Sequence, residues 1–256
     1  MEKNKKKLSA PLIVALVLCV ALLGFSAFQL AGIYVEYKKG EDEYEALREF
    51  VKTEVPEVDY EGDEPLQPEE EAEPRVDFAE LKALNEDIIG WIEVPDTPIS
   101  YPIVQGEDDV YYLTHTFNNT ENSAGSIFME TLNSADFSDV HTILYGHNMK
   151  NGSMFGTLME YESPSYLVAH PLIFIDTEEG SHAYKIFSCY RVDADSDSYT
   201  IGFKADEMYV NFLKKLKERS AYDTGVEVTM DDKIITLSTC TNTGTNRYLV
   251  HAKKAW

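Results

Sequence analysis

Positive charge and cysteine are both scarce in this sequence, and each shortage excludes a class of protein. Only 22 Lys and Arg stand against 45 Asp and Glu, so the formal net charge is −23 at pH 7. Binding to a nucleic-acid backbone needs a basic surface, and we therefore expect no nucleic-acid partner. The three cysteines, Cys19, Cys189 and Cys240, are an odd and sparse set that does not form a disulfide framework.

Long apolar runs are also scarce, with one exception near the N-terminus. Residues 11–35 carry no charged side chain and exceed the roughly 20 residues that span a bilayer. The lysines of MEKNKKK favour a cytoplasmic tail over residues 1–10, a retained signal-anchor and an extracellular remainder at the cell membrane. A cleaved signal peptide is the alternative, but its apolar region would be shorter and FSAFQLAG is a poor cleavage site.

The rest of the chain divides into a connecting region and one folded domain. Residues 36–76 combine apolar residues at helical spacing with the acidic, proline-rich stretch PEVDYEGDEPLQPEEEAEPRV, which predicts an amphipathic helix followed by an extended linker. The folded domain is predicted to cover residues 77–256. Its first helix is expected to start at an Asp77 cap and to end at Gly90.

Short apolar segments bounded by turn residues predict strands in most of this domain. The segments are WIEVP, ISYPIVQ, GSIFME, HTILYGH, LIFIDT, YKIFSCYRV, VEVTM, KIITLSTC and RYLVHAKKA. Two helical segments, SMFGTLMEY and ADEMYVNFLKKLKERS, interrupt them. Many short strands with few helices indicate a mainly β fold, a closed barrel or a sandwich, rather than a parallel α/β sheet.

Cys240 is the candidate nucleophile, because it ends an apolar strand and is followed by a polar loop. An unpaired thiol is unusual outside the cell, and a reactive thiolate needs a base or a cation beside it. Of the six histidines, His147 is the best candidate, since it follows a strand and a glycine in HTILYGHNM, and His251 in the last strand is second. The others are expected at the surface or in turns: His115, His141, His170 and His182.

Arg247 follows Cys240 by seven residues and opens the next strand. If the two strands pair, its guanidinium can return to the thiol and hold a substrate carbonyl or stabilise an oxyanion. The alternative is an ion pair at a strand edge. No spacing typical of a metal site occurs, and no cofactor or metal is predicted.

Two segments resemble the signatures of the sortase family. TLSTC followed by a loop and RYLVHAK resembles the cysteine and arginine segment, and ILYGHNM with GSMF resembles the histidine segment. Over about residues 77–254 the sequence is similar to class B sortases, including LNEDIIGWIEVPDTPISYPIV and the helix DEMYVNFLKKLKERS. The resemblance implies a closed eight-stranded β-barrel with peripheral helices behind a transmembrane helix, and a membrane-tethered cysteine transpeptidase of Gram-positive bacteria.

The resemblance also implies residue roles. Cys240 matches the nucleophile, His147 the general acid and base, and Arg247 the group that stabilises the oxyanion or substrate. The residues at matching substrate-binding positions are Thr239, Ser238, Tyr145, Leu113, Tyr199 and Asp109. Two features depart from the family: Asp109 replaces an asparagine, and the loop between Cys240 and Arg247 is shorter than in some class B members.

The implied reaction cleaves a C-terminal sorting signal after threonine and transfers the acyl group to an amine of a cell-wall precursor. The implied partners are surface proteins that carry such a signal, the precursor amine and the membrane. The alternatives are a pilin-polymerising sortase, a plain cysteine protease, and a non-enzymatic barrel that binds a surface ligand. The lack of a lid motif and of a second apolar helix after AKKAW disfavours the pilin polymerase.

Overall fold

The computed structural model describes residues 10–52, 75–241 and 246–256. Within these ranges the helices are α1 (Ala10–Ala46), α2 (Phe78–Leu84), α3 (Pro164–Ala169) and α4 (Glu207–Glu218). The strands are β1 (Ile88–Glu93), β2 (Ser100–Val104), β3 (Ile127–Met129), β4 (His141–Tyr145), β5 (Leu172–Thr177), β6 (Gly180–Asp193), β7 (Ile234–Cys240) and β8 (Asn246–Lys254).

The strands close into a barrel in the order β1-β2-β3-β4-β7-β8-β6-β5. The β2–β3 and β4–β7 pairs are parallel, and the other pairs are antiparallel. The predicted fold class, a mainly β closed eight-stranded barrel with peripheral helices, is confirmed. One core fills the barrel, and a second cluster lies between its outer surface and α4.

The helix α4 forms where the sequence indicates it. Asp206 caps its start, with the side chain accepting hydrogen bonds from the backbone N–H groups of Met208 and Tyr209. Its buried residues recur at the three- and four-residue spacing of one helical face, and basic residues in the last turn favour the helix dipole. The buried residues are Tyr209, Phe212, Leu213 and Leu216.

Three predicted elements differ from the structure. Asp77 does cap α2, but this helix ends at Leu84, and Gly90 lies within β1. A Cβ at Gly90 would lie 3.1 Å from the carbonyl oxygen of Asp176, so the glycine permits close approach of β5. Residues 226–230, VEVTM, form no strand, because Val226 and Val228 pack on the α4 cluster instead of joining a closed barrel. The predicted helix in SMFGTLMEY is replaced by a short 3-10 helix, Leu158–Glu162, at the end of this segment.

The N-terminal segment is a single helix that reaches the barrel. Helix α1 runs without a break from the apolar run into the predicted amphipathic region, and a 3-10 turn, Leu47–Phe50, follows it. By length and composition this is the candidate membrane span within the described ranges. Tyr44 and Leu47 are buried in the barrel core, although they precede the predicted boundary at residue 77. Residues 53–74, which include most of the predicted acidic linker, lie outside the described residues.

Candidate active site

Cys240 and Arg247 face each other across two neighbouring strands. Cys240 ends β7, Arg247 lies near the start of β8, and the two residues are direct partners in the antiparallel ladder. Residues directly opposite on such a ladder have their Cβ atoms about 4.5–5.5 Å apart and on the same face of the sheet. The backbone therefore brings the guanidinium-bearing side chain beside the thiol, and Cys240 itself is half-buried.

His147 lies level with Cys240 on the other side of β7. Strands β4 and β7 run parallel, with Tyr145 paired with Ser238, and the N–H of Gly146 donates to the Ser238 carbonyl at 3.1 Å. His147 and Cys240 each stand two residues beyond that pair. Because neighbouring strands are about 4.8 Å apart, the register places both residues side by side at the same end of the barrel.

Two hydrogen bonds hold the segment around His147 to β7. The Thr239 hydroxyl donates to the Gly146 carbonyl at 2.8 Å, and the Asn148 amide donates to the Cys240 carbonyl at 2.9 Å. The residues on both sides of His147 are thus tied to the residues that carry the thiol. Asn148 makes a contact with Cys240 that sequence reasoning missed, and its position directly after the histidine was the available signal.

The imidazole of His147 has a defined orientation. Its Nε2 lies 2.6 Å from the carbonyl oxygen of Leu113. A carbonyl can only accept a hydrogen bond, so Nε2 carries a hydrogen in this arrangement. The other ring nitrogen, Nδ1, is then the atom available for proton exchange with a thiol or a substrate amine.

All nine sequence-predicted site residues line one open cleft of about 360 Å³. The Tyr145 and Tyr199 rings stack with their centroids 6.3 Å apart, and the Tyr199 hydroxyl pairs with that of Ser238 at 2.8 Å. Ser238 and Thr239 are buried, whereas Leu113 is 37% exposed. The remaining lining residues, which sequence reasoning missed, are Phe128, Gly146 and Ala194.

Asp109 belongs to a small acidic cluster at one side of the cleft. Its Oδ1 accepts hydrogen bonds from the Thr131 N–H at 2.8 Å and the Thr131 hydroxyl at 2.5 Å. An asparagine oxygen can accept the same two bonds, so the substitution changes the charge more than this contact. Burial and the neighbouring Asp109 raise the pKa of the Glu130 carboxyl, which accepts the Tyr145 hydroxyl at 2.7 Å.

The prediction that His141 is at the surface is wrong. His141 is 1% exposed, because α4 covers this end of β4 and the ring of Phe212 packs against the imidazole. Burial lowers its pKa to about 4. His251 is also fully buried, with its pKa lowered chiefly by burial, and its Nδ1 lies 2.8 Å from the Thr236 hydroxyl. Cys189 is buried as expected.

The loop between Cys240 and Arg247 is described only at its ends. The Thr241 N–H donates to the Asn246 carbonyl at 2.9 Å and pairs the two ends of the hairpin. Residues 242–245 lie outside the described residues, so the expectation of a short loop that affects specificity stays a prediction.

A closed mixed barrel with a cysteine, a histidine and an arginine in one cleft is the arrangement of a thiol enzyme that acts through a covalent intermediate. The family model of the sortase domain matches residues 92–255 of this chain. Sortase B of Listeria monocytogenes is 40% identical over 168 residues, which are 66% of this chain and 68% of that protein. Sortase B of Staphylococcus aureus is 30% identical over 245 residues, 94% of this chain and 96% of that protein.

The fold gives the same result. The crystal structure of sortase B from Bacillus anthracis matches with a TM-score of 0.73 and 34% identity, over 86% of this chain and 98% of that chain. The chain belongs to the sortase family and is a cysteine transpeptidase of the class B type.

Proposed function

We propose that this sortase cleaves a C-terminal sorting signal after threonine and transfers the acyl group to an amine of a cell-wall precursor. In this proposal Cys240 is the nucleophile, His147 the general acid and base, and Arg247 the stabiliser of the oxyanion. The observation that carries it is the register of β4, β7 and β8, which places these three residues at one barrel edge in one cleft.

The first half-reaction forms a thioester. The thiolate of Cys240 attacks the threonine carbonyl, the carbon–sulfur bond forms, and the carbonyl electrons move onto the oxygen beside the Arg247 guanidinium. When the oxyanion collapses, the carbon–nitrogen bond breaks, and His147, which holds the proton given up by the Cys240 thiol, donates it to the departing amine. Thr239 and Ser238 shape the wall below the carbonyl, and the aromatic and apolar side chains of the cleft hold the peptide on either side.

The second half-reaction regenerates the enzyme. The precursor amine attacks the thioester, His147 accepts the proton that the amine loses, and the carbon–sulfur bond breaks to release the thiolate. The product is an amide that joins the surface protein to the precursor. The same cleft serves both steps, because the histidine acts first as an acid and then as a base.

The membrane supplies the setting for this reaction. We propose that residues 11–35 cross the bilayer as a single anchor, that residues 1–10 are cytoplasmic, and that the catalytic domain is extracellular. Residues 36–76 then connect the anchor to the barrel, and Tyr44 and Leu47 within them belong to its core. Substrates held at the same surface meet the enzyme at a raised effective concentration, without additional contacts.

The test uses the full chain in detergent micelles, with a panel of sorting-signal peptides and an added peptide amine. Mass spectrometry is expected to show an acyl adduct on Cys240 and a product that contains the amine. Cys240→Ala should form neither, and His147→Ala should lose turnover while its circular dichroism spectrum stays that of the wild type.

Cys189→Ala is the matched control, because it removes a buried thiol outside the cleft. It should retain the adduct and the product. Release of hydrolysed peptide with no amine product under any condition would refute the transpeptidase proposal and favour the cysteine protease. A product formed only with a pilin amine would favour the pilin polymerase.

A further inference from the structure

The C-terminal part of α1 is attached to the connection between β2 and β3. The Asn122 amide donates to the Glu36 carbonyl at 3.2 Å, and the Ser123 N–H donates to the Glu36 carboxylate at 3.0 Å. About two helical turns further on, the Glu43 carboxylate lies 3.1 Å from the Thr116 hydroxyl oxygen. The end of the candidate membrane helix is therefore part of the folded barrel domain.

Tyr44 makes the deepest of these contacts. It is 5% exposed, and its ring packs edge-on against Tyr101 and tilted against Phe117, with both centroids at 5.3 Å. Its hydroxyl donates to the Gly125 carbonyl at 2.6 Å and lies 3.2 Å from the Ser126 hydroxyl. A buried hydroxyl with this geometry fixes the carbonyl that it contacts.

Gly125 in turn contacts the backbone that holds His147. Its φ is +56°, and a Cβ at this position would lie 2.6 Å from the carbonyl oxygen of Tyr112 and 2.8 Å from that of Leu113. The next residue, Ser126, donates its N–H to the Tyr112 carbonyl at 2.9 Å. The Leu113 carbonyl is the group that accepts the hydrogen bond from His147 Nε2.

We propose that Tyr44 is a positioning residue for His147. The Tyr44 hydroxyl holds Gly125 and Ser126 and so fixes the position of the Leu113 carbonyl. This carbonyl orients the imidazole of His147, so that Nδ1 is the ring nitrogen available to the reacting groups. The helix that leaves the membrane is thus a working part of the catalytic unit as well as a tether. The inference rests on the proposed role of His147 as the acid and base.

The test compares two variants that each remove one buried tyrosine hydroxyl from the same core. Tyr44→Phe keeps the ring packing and removes the bond to Gly125. Tyr161→Phe is the matched control, because Tyr161 is 1% exposed and donates to the His170 carbonyl at 2.8 Å, and it does not line the cleft. Both are made in the full chain in detergent micelles.

Two measurements separate positioning from a loss of stability. The first is transpeptidation, for which Tyr44→Phe should lower kcat about three- to tenfold with little change in KM, whereas Tyr161→Phe should stay within about twofold of the wild type. The second is the rate at which a small neutral reagent alkylates Cys240 as a function of pH. Its midpoint should shift in Tyr44→Phe and stay in place in Tyr161→Phe, because only the first changes the imidazole beside the thiol.

The inference is overturned if the two variants coincide in kcat and in the alkylation midpoint. If Tyr44→Phe fails to fold, Ser126→Ala tests the same segment from the barrel side, because it removes the 3.2 Å contact with the Tyr44 hydroxyl and the hydrogen bond to the His115 carbonyl at 2.9 Å. It should also lower kcat and shift the alkylation midpoint in the same direction. A wild-type protein without transpeptidation would refute the proposed function, while the alkylation midpoints would still decide whether Tyr44 orients His147.

Discussion

A chain of buried hydrogen bonds beneath α4 should make the protein sensitive to acid. His141 Nδ1 lies 2.8 Å from the Thr200 carbonyl and therefore donates to it, which leaves Nε2 to accept the Thr236 hydroxyl at 2.7 Å. The Thr236 oxygen accepts from His251 Nδ1 at 2.8 Å, and His251 Nε2 accepts from the Tyr190 hydroxyl at 3.0 Å. The chain is complete only when both imidazoles are neutral.

The magnitude follows from the pKa of His141. This pKa is about 4 in the folded protein and about 6.5 in an unfolded chain, so the unfolded state takes up the proton first as the pH falls. The stability that depends on the neutral ring is complete above pH 6.5 and is lost as the pH falls towards 4. At pH 5 the loss from this one group is about 2 kcal/mol, and protonation of His251 adds to it.

The assay is urea unfolding of the full chain in micelles between pH 7 and pH 5, for the wild type and His141→Gln. Glutamine can donate and accept like the neutral ring, but it does not titrate. Its free energy of unfolding should therefore fall by about 2 kcal/mol less than that of the wild type over this range. Thr236→Val is the control, because it breaks the chain and retains the titrating ring. Parallel pH profiles for the wild type and His141→Gln would refute the reasoning.

Two further perturbations test the framework around the cleft. Arg75→Ala should lower the free energy of unfolding by about 3–5 kcal/mol, because the 2% exposed Asp176 loses its two hydrogen bonds from the guanidinium at 3.2 and 2.9 Å. The kcat per folded molecule should not change. A loss below about 1 kcal/mol in urea unfolding would contradict this expectation. Gly146→Ala should lower the free energy of unfolding by about 1–3 kcal/mol, because the new Cβ would lie 2.5 Å from the Ile127 side chain. It should also lower kcat, because the residue before His147 is displaced. Unchanged turnover at an unchanged melting temperature would contradict both expectations.

The secondary structure was predictable where a local pattern also decided burial. The strands KIITLSTC and HTILYGH were recognised because a short apolar run between turn residues has few other structures open to it, and α4 because its apolar face repeats at helical spacing. Residues 226–230 show the limit of this reasoning. Their apolar and polar residues alternate as in a strand, but the apolar side chains pack on the α4 cluster. Alternation predicts which side chains are buried, but it does not predict which element covers them.

The candidate site was predictable to the extent that its residues stand at strand ends. Cys240, His147 and Arg247 each had a local signal, and the family resemblance joined them. Tyr44 had no such signal, and the signal for Asn148 was only its position directly after the histidine. Each makes a hydrogen bond to a backbone carbonyl that lies 92 or 81 positions away along the chain, and such a partner is defined only by the fold.

Sequence alone therefore determined the acidic surface, the apolar N-terminal run, the mainly β character and the cysteine most suited to act as a nucleophile. These properties depend on composition and on neighbours along the chain. Only the tertiary structure decided that His147 stands level with Cys240, that Leu113 orients it, that His141 is buried, and that Tyr44 reaches the barrel core. These properties depend on strand order and register, which arise from packing between segments far apart in sequence and leave no periodic trace in any one of them.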